Sequence, residues 1–121
     1  MRYYLCNKKV MEIKIFDCRD YSAAEILEFM IKLNPSLRYP ANRRRVYVGA
    51  PCNIDERLYR HNARENLIFC AQTAHQNVAA KVEELAYESG FNIGEVKWGG
   101  NGTNSYSIYV YAYRITPSTI E

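Results

Sequence analysis

The apolar positions of this chain alternate between two periods, and the switches mark its elements. RYYLC reads as a strand and NKK as a turn. MEIKIFDC then sets Ile13 and Ile15 on one face against Lys14 and Phe16 on the other, a strand with one mixed face. Ser22-Ala-Ala-Glu25 is a capping box, followed at helical spacing by Ile26, Leu27, Met30, Ile31 and Leu33 until Asn34-Pro35 stops the run. RRVYVG is a second strand, and Asn53-Ile-Asp-Glu56 is another capping box opening a helix to about Glu65. LIFCAQ reads as a third strand. Thr73-Ala-His-Gln76 starts a helix striped by Val78, Val82, Leu85 and Ala86 and ended by Gly90. After the GGNGTN loop, a strand over about 105–115 carries Tyr109, Tyr111 and Tyr113 on one face and Tyr106, Ile108 and Val110 on the other. Such a tyrosine stripe either covers a sheet with amphipathic rings or stacks bases.

The order β-α-β-α-β-α-β with short connections predicts an α/β chain of the α+β kind. The expectation is one small domain over 1–121, with a short central sheet flanked by about three helices. At 121 residues and 48% hydrophobic, the chain supports a single core. It holds no run of eighteen apolar residues and no signal-peptide pattern, which predicts a soluble, cytoplasmic protein without a membrane role. Cys6, Cys18, Cys52 and Cys70 form no C-x-x-C pair, so zinc spacings are missing and reduced thiols are expected. Cys52, just before a helix start, is the candidate for mild reactivity.

The net charge of +3 hides an uneven distribution. Residues 38–64 hold seven arginines, Arg38, Arg43, Arg44, Arg45, Arg57, Arg60 and Arg64, against Asp55 and Glu56, a local +5. The remainder carries nine basic and eleven acidic residues, a net −2. Guanidinium forks pair bidentately with phosphate oxygens, so this segment is the candidate nucleic-acid surface.

Each helical residue turns by about 100°, which places the charged side chains relative to the apolar stripes. In the Asn53 helix, Arg57 and His61 border the stripe of Ile54 and Leu58, and Arg60 points nearly opposite. In the Thr73 helix, Glu83 borders the stripe and Glu84 points away. A strand tyrosine, a helix-edge arginine and histidine, and a lone carboxylate suit phosphodiester chemistry. The carboxylate holds a divalent cation, the arginine meets the developing phosphate charge, and a phenol or imidazole moves a proton. Each of these residues also has an ordinary structural use, as surface ion pair, satisfied histidine or solvated helix charge.

The spacing of these residues resembles a known signature. Tyr47-Val48-Gly49, a short loop, Asn53-Ile54, Arg57-Leu58 and His61 look like the second half of the GIY-YIG nuclease motif. Ala79-Ala80-Lys81-Val82-Glu83 resembles that family's A-x-x-[LIV]-E helix. The resemblance covers roughly 44–92 and implies a GIY-YIG-like fold. By it Tyr47, Arg57 and His61 would act at the scissile phosphate, Gly49 would be the motif glycine, and Glu83 would bind Mg²⁺ (or Mn²⁺). The family's late asparagine has candidates in Asn92, Asn101 and Asn104, of which Asn92 lies at the most usual distance from the glutamate. The chain departs from the pattern in its first half, because no G-I-Y occurs. In typical members that tripeptide precedes Y-I-G on an adjacent strand. Two substitutes are open: the Lys14-Ile15-Phe16 strand, with Phe in place of Tyr, or Tyr39 from a shortened hairpin.

Three readings follow from the residues and the resemblance together. One is a metal-dependent endonuclease acting on DNA, or RNA. The second is a catalytically silent descendant that binds nucleic acid through Arg43, Arg44, Arg45, Arg60 and Arg64. The third is a module for a protein partner.

Overall fold

The computed structural model describes residues 2–6, 9–50, 64–93 and 108–119, with side chains from Lys14 onward except that of Arg64. Their elements in chain order are β1 (Arg2–Cys6), β2 (Lys9–Ile13), β3 (Phe16–Asp17), α1 (Ala23–Leu33), α2 (Pro40–Arg43), β4 (Val46–Gly49), β5 (Leu67–Gln72), α3 (Gln76–Glu88) and β6 (Tyr109–Arg114). Short 3₁₀ turns occupy Pro35–Arg38 and Arg64–Asn66. Together they make a small α+β fold with three α-helices and a four-stranded mixed sheet. No helix among the described residues is long and apolar enough to cross a membrane.

The MEIKIFDC stretch does not form the single strand expected of it. Its two halves pair with different partners. β2 folds back on β1 as an antiparallel hairpin, with Lys9 paired to Cys6 rather than lying in the turn, while Phe16–Asp17 runs parallel to β5. The sheet order is β3-β5-β6-β4, and β6 is antiparallel to both of its neighbours. On the outer side of β4, the Val48 N–H donates to the Asn92 carbonyl at 2.9 Å and the Asn92 N–H donates to that of Val46 at 3.0 Å. Asn92 thereby forms a parallel bridge with Tyr47.

Because successive strand residues point to opposite faces, the sheet separates two apolar layers. Val46, Val48, Phe69, Ala71, Val110 and Ala112 face the helices, against Ile26, Leu27 and Met30 of α1 and Ala79, Val82 and Ala86 of α3. Phe16 completes this layer, its ring 5.0 Å from that of Phe29 and 5.8 Å from that of Phe69. The other face carries Tyr47, Cys70, Tyr111 and Tyr113, flanked by Ile15, Leu67, Tyr109 and Ile115. A register shift between Leu67 and Phe69 keeps β5 in step with both layers.

Local chemistry sets the helix ends. Ser22 Oγ accepts from the Glu25 N–H at 3.2 Å and the Glu25 carboxylate accepts from the Ser22 N–H at 2.8 Å, so the capping box forms in full. Asn34 closes α1 by donating from Nδ2 to the Met30 carbonyl at 3.0 Å, just before Pro35. The cap of α3 lies two residues beyond Thr73, at His75, and the helix begins at Gln76. The Thr73 hydroxyl lies 2.7 Å from the Ile108 carbonyl and 3.0 Å from that of His75, so it ties β5 to β6 instead of capping a helix. The cap passes to His75, whose Nδ1 accepts from the Asn77 N–H at 3.0 Å. Beyond Ser89 the chain turns through Gly90 at φ 101°, a conformation that favours glycine.

Replacing Ser22 by Ala removes one half of the capping box and should cost about 1 kcal/mol. Urea unfolding should report it as a lower midpoint at unchanged slope.

Candidate functional site

The YVG tripeptide lies in β4 with every residue buried. Its antiparallel partner is β6, in the register Tyr47↔Tyr113, Val48↔Ala112 and Gly49↔Tyr111. The Tyr47 ring stacks on Tyr113 with centroids 5.0 Å apart, and meets Tyr111 edge-on at 6.2 Å. Tyr111 lies across the backbone of Gly49: a Cβ added at position 49 would run into Tyr111 Cε1 and stand 3.1 Å from Tyr47 Cε1. The glycine is therefore required by the close approach of a ring. Tyr111 and Tyr113 are 1% and 0% exposed, so this stripe covers the sheet and is not a base-stacking surface.

Phe16 does not stand beside Tyr47. Its strand, β3, is at the far edge of the sheet, separated from β4 by β5 and β6, and its ring is wedged among Phe29 and Phe69 on the helix side. The Lys14-Ile15-Phe16 strand is thus not a counterpart of a paired first half. Tyr39 is also outside the tyrosine layer. It follows the 3₁₀ turn, is 69% exposed and makes no side-chain hydrogen bond or ring contact with a described residue.

Glu83 is 8% exposed on α3, whereas Glu84 pairs with Lys81 at the surface, which matches the side each takes on the helical wheel. α3 packs on the Val46 and Val48 face, and the Tyr47 ring is on the opposite one. Glu83 and Tyr47 therefore leave their backbones from different layers. Asn92 is brought to the Tyr47 side. Phe91 and Ile93 enter the helix-side core, and Asn92, exposed between them, bridges Tyr47 by its backbone. Among the described residues no group of three or more His, Cys, Asp or Glu side chains gathers as a metal cage. Arg57, Arg60, His61, Cys52, Asn101 and Asn104 lie outside the described residues, as does the side chain of Arg64.

The three consecutive arginines divide in role. Arg43, expected to bind phosphate, is a strut: its Nε donates to the Leu37 carbonyl at 2.7 Å and its Nη1 to that of Ser89 at 3.1 Å, with the guanidinium 5.7 Å from the Phe91 ring centroid. Two of its five N–H donors serve the backbone, which gives it a structural use at this position. Arg44 and Arg45 are exposed and carry no ion pair with a described residue. Strand pairing adds an arginine that the sequence pattern did not single out. Arg114 is opposite Val46, and the Ile115 N–H donates to the Arg45 carbonyl at 2.7 Å, so Arg45 and Arg114 share one end of the sheet.

At the opposite end of the sheet, Asp17 accepts from Arg19 Nε and Nη2, both at 2.8 Å, and from the Arg19 backbone N–H at 3.2 Å. These bonds hold its carboxyl down to about 2. Cys18 and Cys70 are buried, and burial pushes the Cys18 thiol up, as for an unreactive structural thiol.

Two outcomes follow from this geometry. Gly49→Ala should destabilise the protein by about 1–3 kcal/mol through overpacking. In a Tyr111→Leu background that penalty should shrink by at least about 0.5 kcal/mol in a double-mutant cycle read by denaturant unfolding. The depressed folded pKa of Asp17 means that its ion pair contributes fully above the ordinary value of 3.8 and is lost as pH falls through about 2. Carboxyl ¹³C shifts should follow that low titration in the wild type and return towards 3.8 in Arg19→Gln. Comparison with protein families, with curated proteins and with solved structures finds no match to this chain.

Proposed function

We propose that the chain is a metal-dependent endonuclease of GIY-YIG type, hydrolysing nucleic-acid phosphodiester bonds, in which β6 takes the place of the absent first half of the signature. The observation that carries this reading is the pairing of YVG with a tyrosine-bearing antiparallel strand. Tyr111 is opposite Gly49 and its ring meets that of Tyr47, so two phenols flank the motif glycine although no G-I-Y exists. A phenol beside Tyr47 is the one component that the sequence pattern lacked.

In this reading Tyr47 and Tyr111 orient the attacking water and relay its proton. Arg57 meets the charge growing on the phosphate. His61 protonates the oxygen that leaves as the P–O bond breaks. Glu83, which leaves its backbone on the helix side of the sheet while Tyr47 and Tyr111 leave theirs on the other, is the residue that would hold the divalent cation. A single buried carboxylate fits Mg²⁺, which keeps several waters and is commonly held by one or two carboxylates together with substrate phosphate. When bound, the ion supplies Lewis-acid stabilisation of the phosphoryl oxygens.

A second reading has an observation of its own. Tyr111 is 1% exposed and Tyr47 9%, which favours rings that support the fold of a silent, nucleic-acid-binding descendant.

Nicking of supercoiled plasmid in Mg²⁺ or Mn²⁺ separates the two. The nuclease reading expects cleavage by the wild type that falls at least about 100-fold in Arg57→Ala, Glu83→Gln and Tyr111→Phe, with thermal unfolding of each variant retained. An intact plasmid in every lane, with mobility shifted at low salt, would assign the silent binder instead. Cleavage unaffected by Glu83→Gln would remove the metal role given to that residue.

A further inference from the structure

The end of the sheet where β4 begins and β6 stops gathers exposed arginines from three places in the chain. Arg44 and Arg45 lead into β4, and Arg114 is opposite Val46 at the end of β6. Arg38 ends the 3₁₀ turn that packs on α2, through Asn42 Nδ2 donating to the Ser36 carbonyl at 2.8 Å. None of the four forms an ion pair or side-chain hydrogen bond with a described residue. Of the acidic residues described, Glu65 comes just before β5 enters the sheet at this end, and Glu88 is next to the Ser89 that Arg43 holds. Both are exposed. Among the described residues the rim is left with a positive excess and with guanidinium donors that no side chain takes up, which suits an anionic ligand.

Tyr39 belongs to the same block, between Arg38 and α2. At 69% it is the most exposed of the large apolar side chains described, in contrast to the buried tyrosines of the sheet. Among the described residues no other ring stacks on it. An open aromatic face among free arginines matches the chemistry of an unpaired nucleotide, whose phosphates take the arginines and whose base takes the ring. A continuous duplex offers phosphates but keeps its base faces stacked.

From this juxtaposition we propose that the rim formed by Arg38, Tyr39, Arg44, Arg45 and Arg114 binds an unpaired nucleic-acid strand. Arginines hold its phosphates and Tyr39 stacks on a base. The proposal deepens the nucleic-acid reading above by naming the substrate feature, a single-stranded segment, and a surface for it separate from the tyrosine layer.

Fluorescence anisotropy in EDTA tests it without any requirement for cleavage. The probes are a labelled oligothymidine and the same strand annealed to its complement. The oligothymidine should bind more tightly than the duplex. Tyr39→Ala should weaken oligothymidine binding about 5- to 100-fold while leaving duplex binding nearly unchanged, and Tyr39→Phe should keep both. The triple variant Arg44→Ala, Arg45→Ala, Arg114→Ala should flatten the dependence of log K on log salt by about 2 for the single strand. Thermal unfolding of each variant confirms that the fold persists. Equal binding of both probes, or a triple variant with the wild-type salt slope, would overturn the proposal. Plasmid nicking that survives in the triple variant would leave the nuclease reading standing with a different substrate surface. Binding with these properties in a protein that never nicks would leave the rim standing without the nuclease.

Discussion

The Tyr111 ring lies over the backbone of Gly49, and the rest of the sheet depends on that contact. A close approach of this kind is possible only where one partner lacks a side chain, so the glycine and the ring fix each other's position. The contact keeps β4 and β6 in register, since a slip of one residue would carry every side chain to the other face. A slip of β4 would carry Val46 and Val48 to the tyrosine layer and Tyr47 into the helix core, and a slip of β6 would do the same to Val110, Ala112 and its phenols. A single steric fit thus separates an aliphatic layer from an aromatic one.

The protein uses similar residues for unlike ends. Arg43 gives its donors to main-chain carbonyls and joins the 3₁₀ turn to the close of α3, while its neighbours Arg44 and Arg45 keep theirs for solvent. Tyr113 and Tyr39 divide in the same way, one wholly enclosed and the other open. Neighbouring identical residues therefore make poor guides to a shared task. The backbone direction at each decides which one is structural.

Much of this architecture was legible from local signals. The Ser22 capping box, the Asn34-Pro35 stop, the LIFCAQ strand and the Gly90 terminus depend on interactions within a few residues, and each is where the pattern puts it. The border position of Glu83 was also readable, because a helical wheel needs no tertiary information. The start of α3 was misread because Thr73 answers to Ile108, thirty-five positions away. The strand beside YVG was missed for the same reason. Tyr111 is not near Tyr47 in sequence, and nothing in either segment states which strands pair. Arg114 shares this history, since only the register of β6 brings it to the end of β4.

The position of β6 between β4 and β5, antiparallel to both, also governs how the molecule is made. Val46 and its partner Arg114 are sixty-eight positions apart in the chain, and β6 lies between β4 and β5 in the sheet. During synthesis α1, β4, β5 and α3 must wait as an open set of surfaces until β6 emerges, with two strand edges and an apolar layer uncovered. Closing so long a loop sets a slow step late in folding, when the central strand inserts and the sheet becomes continuous. Any chemistry that depends on the tyrosines of that strand is consequently withheld from the growing chain and begins only once the sheet has closed.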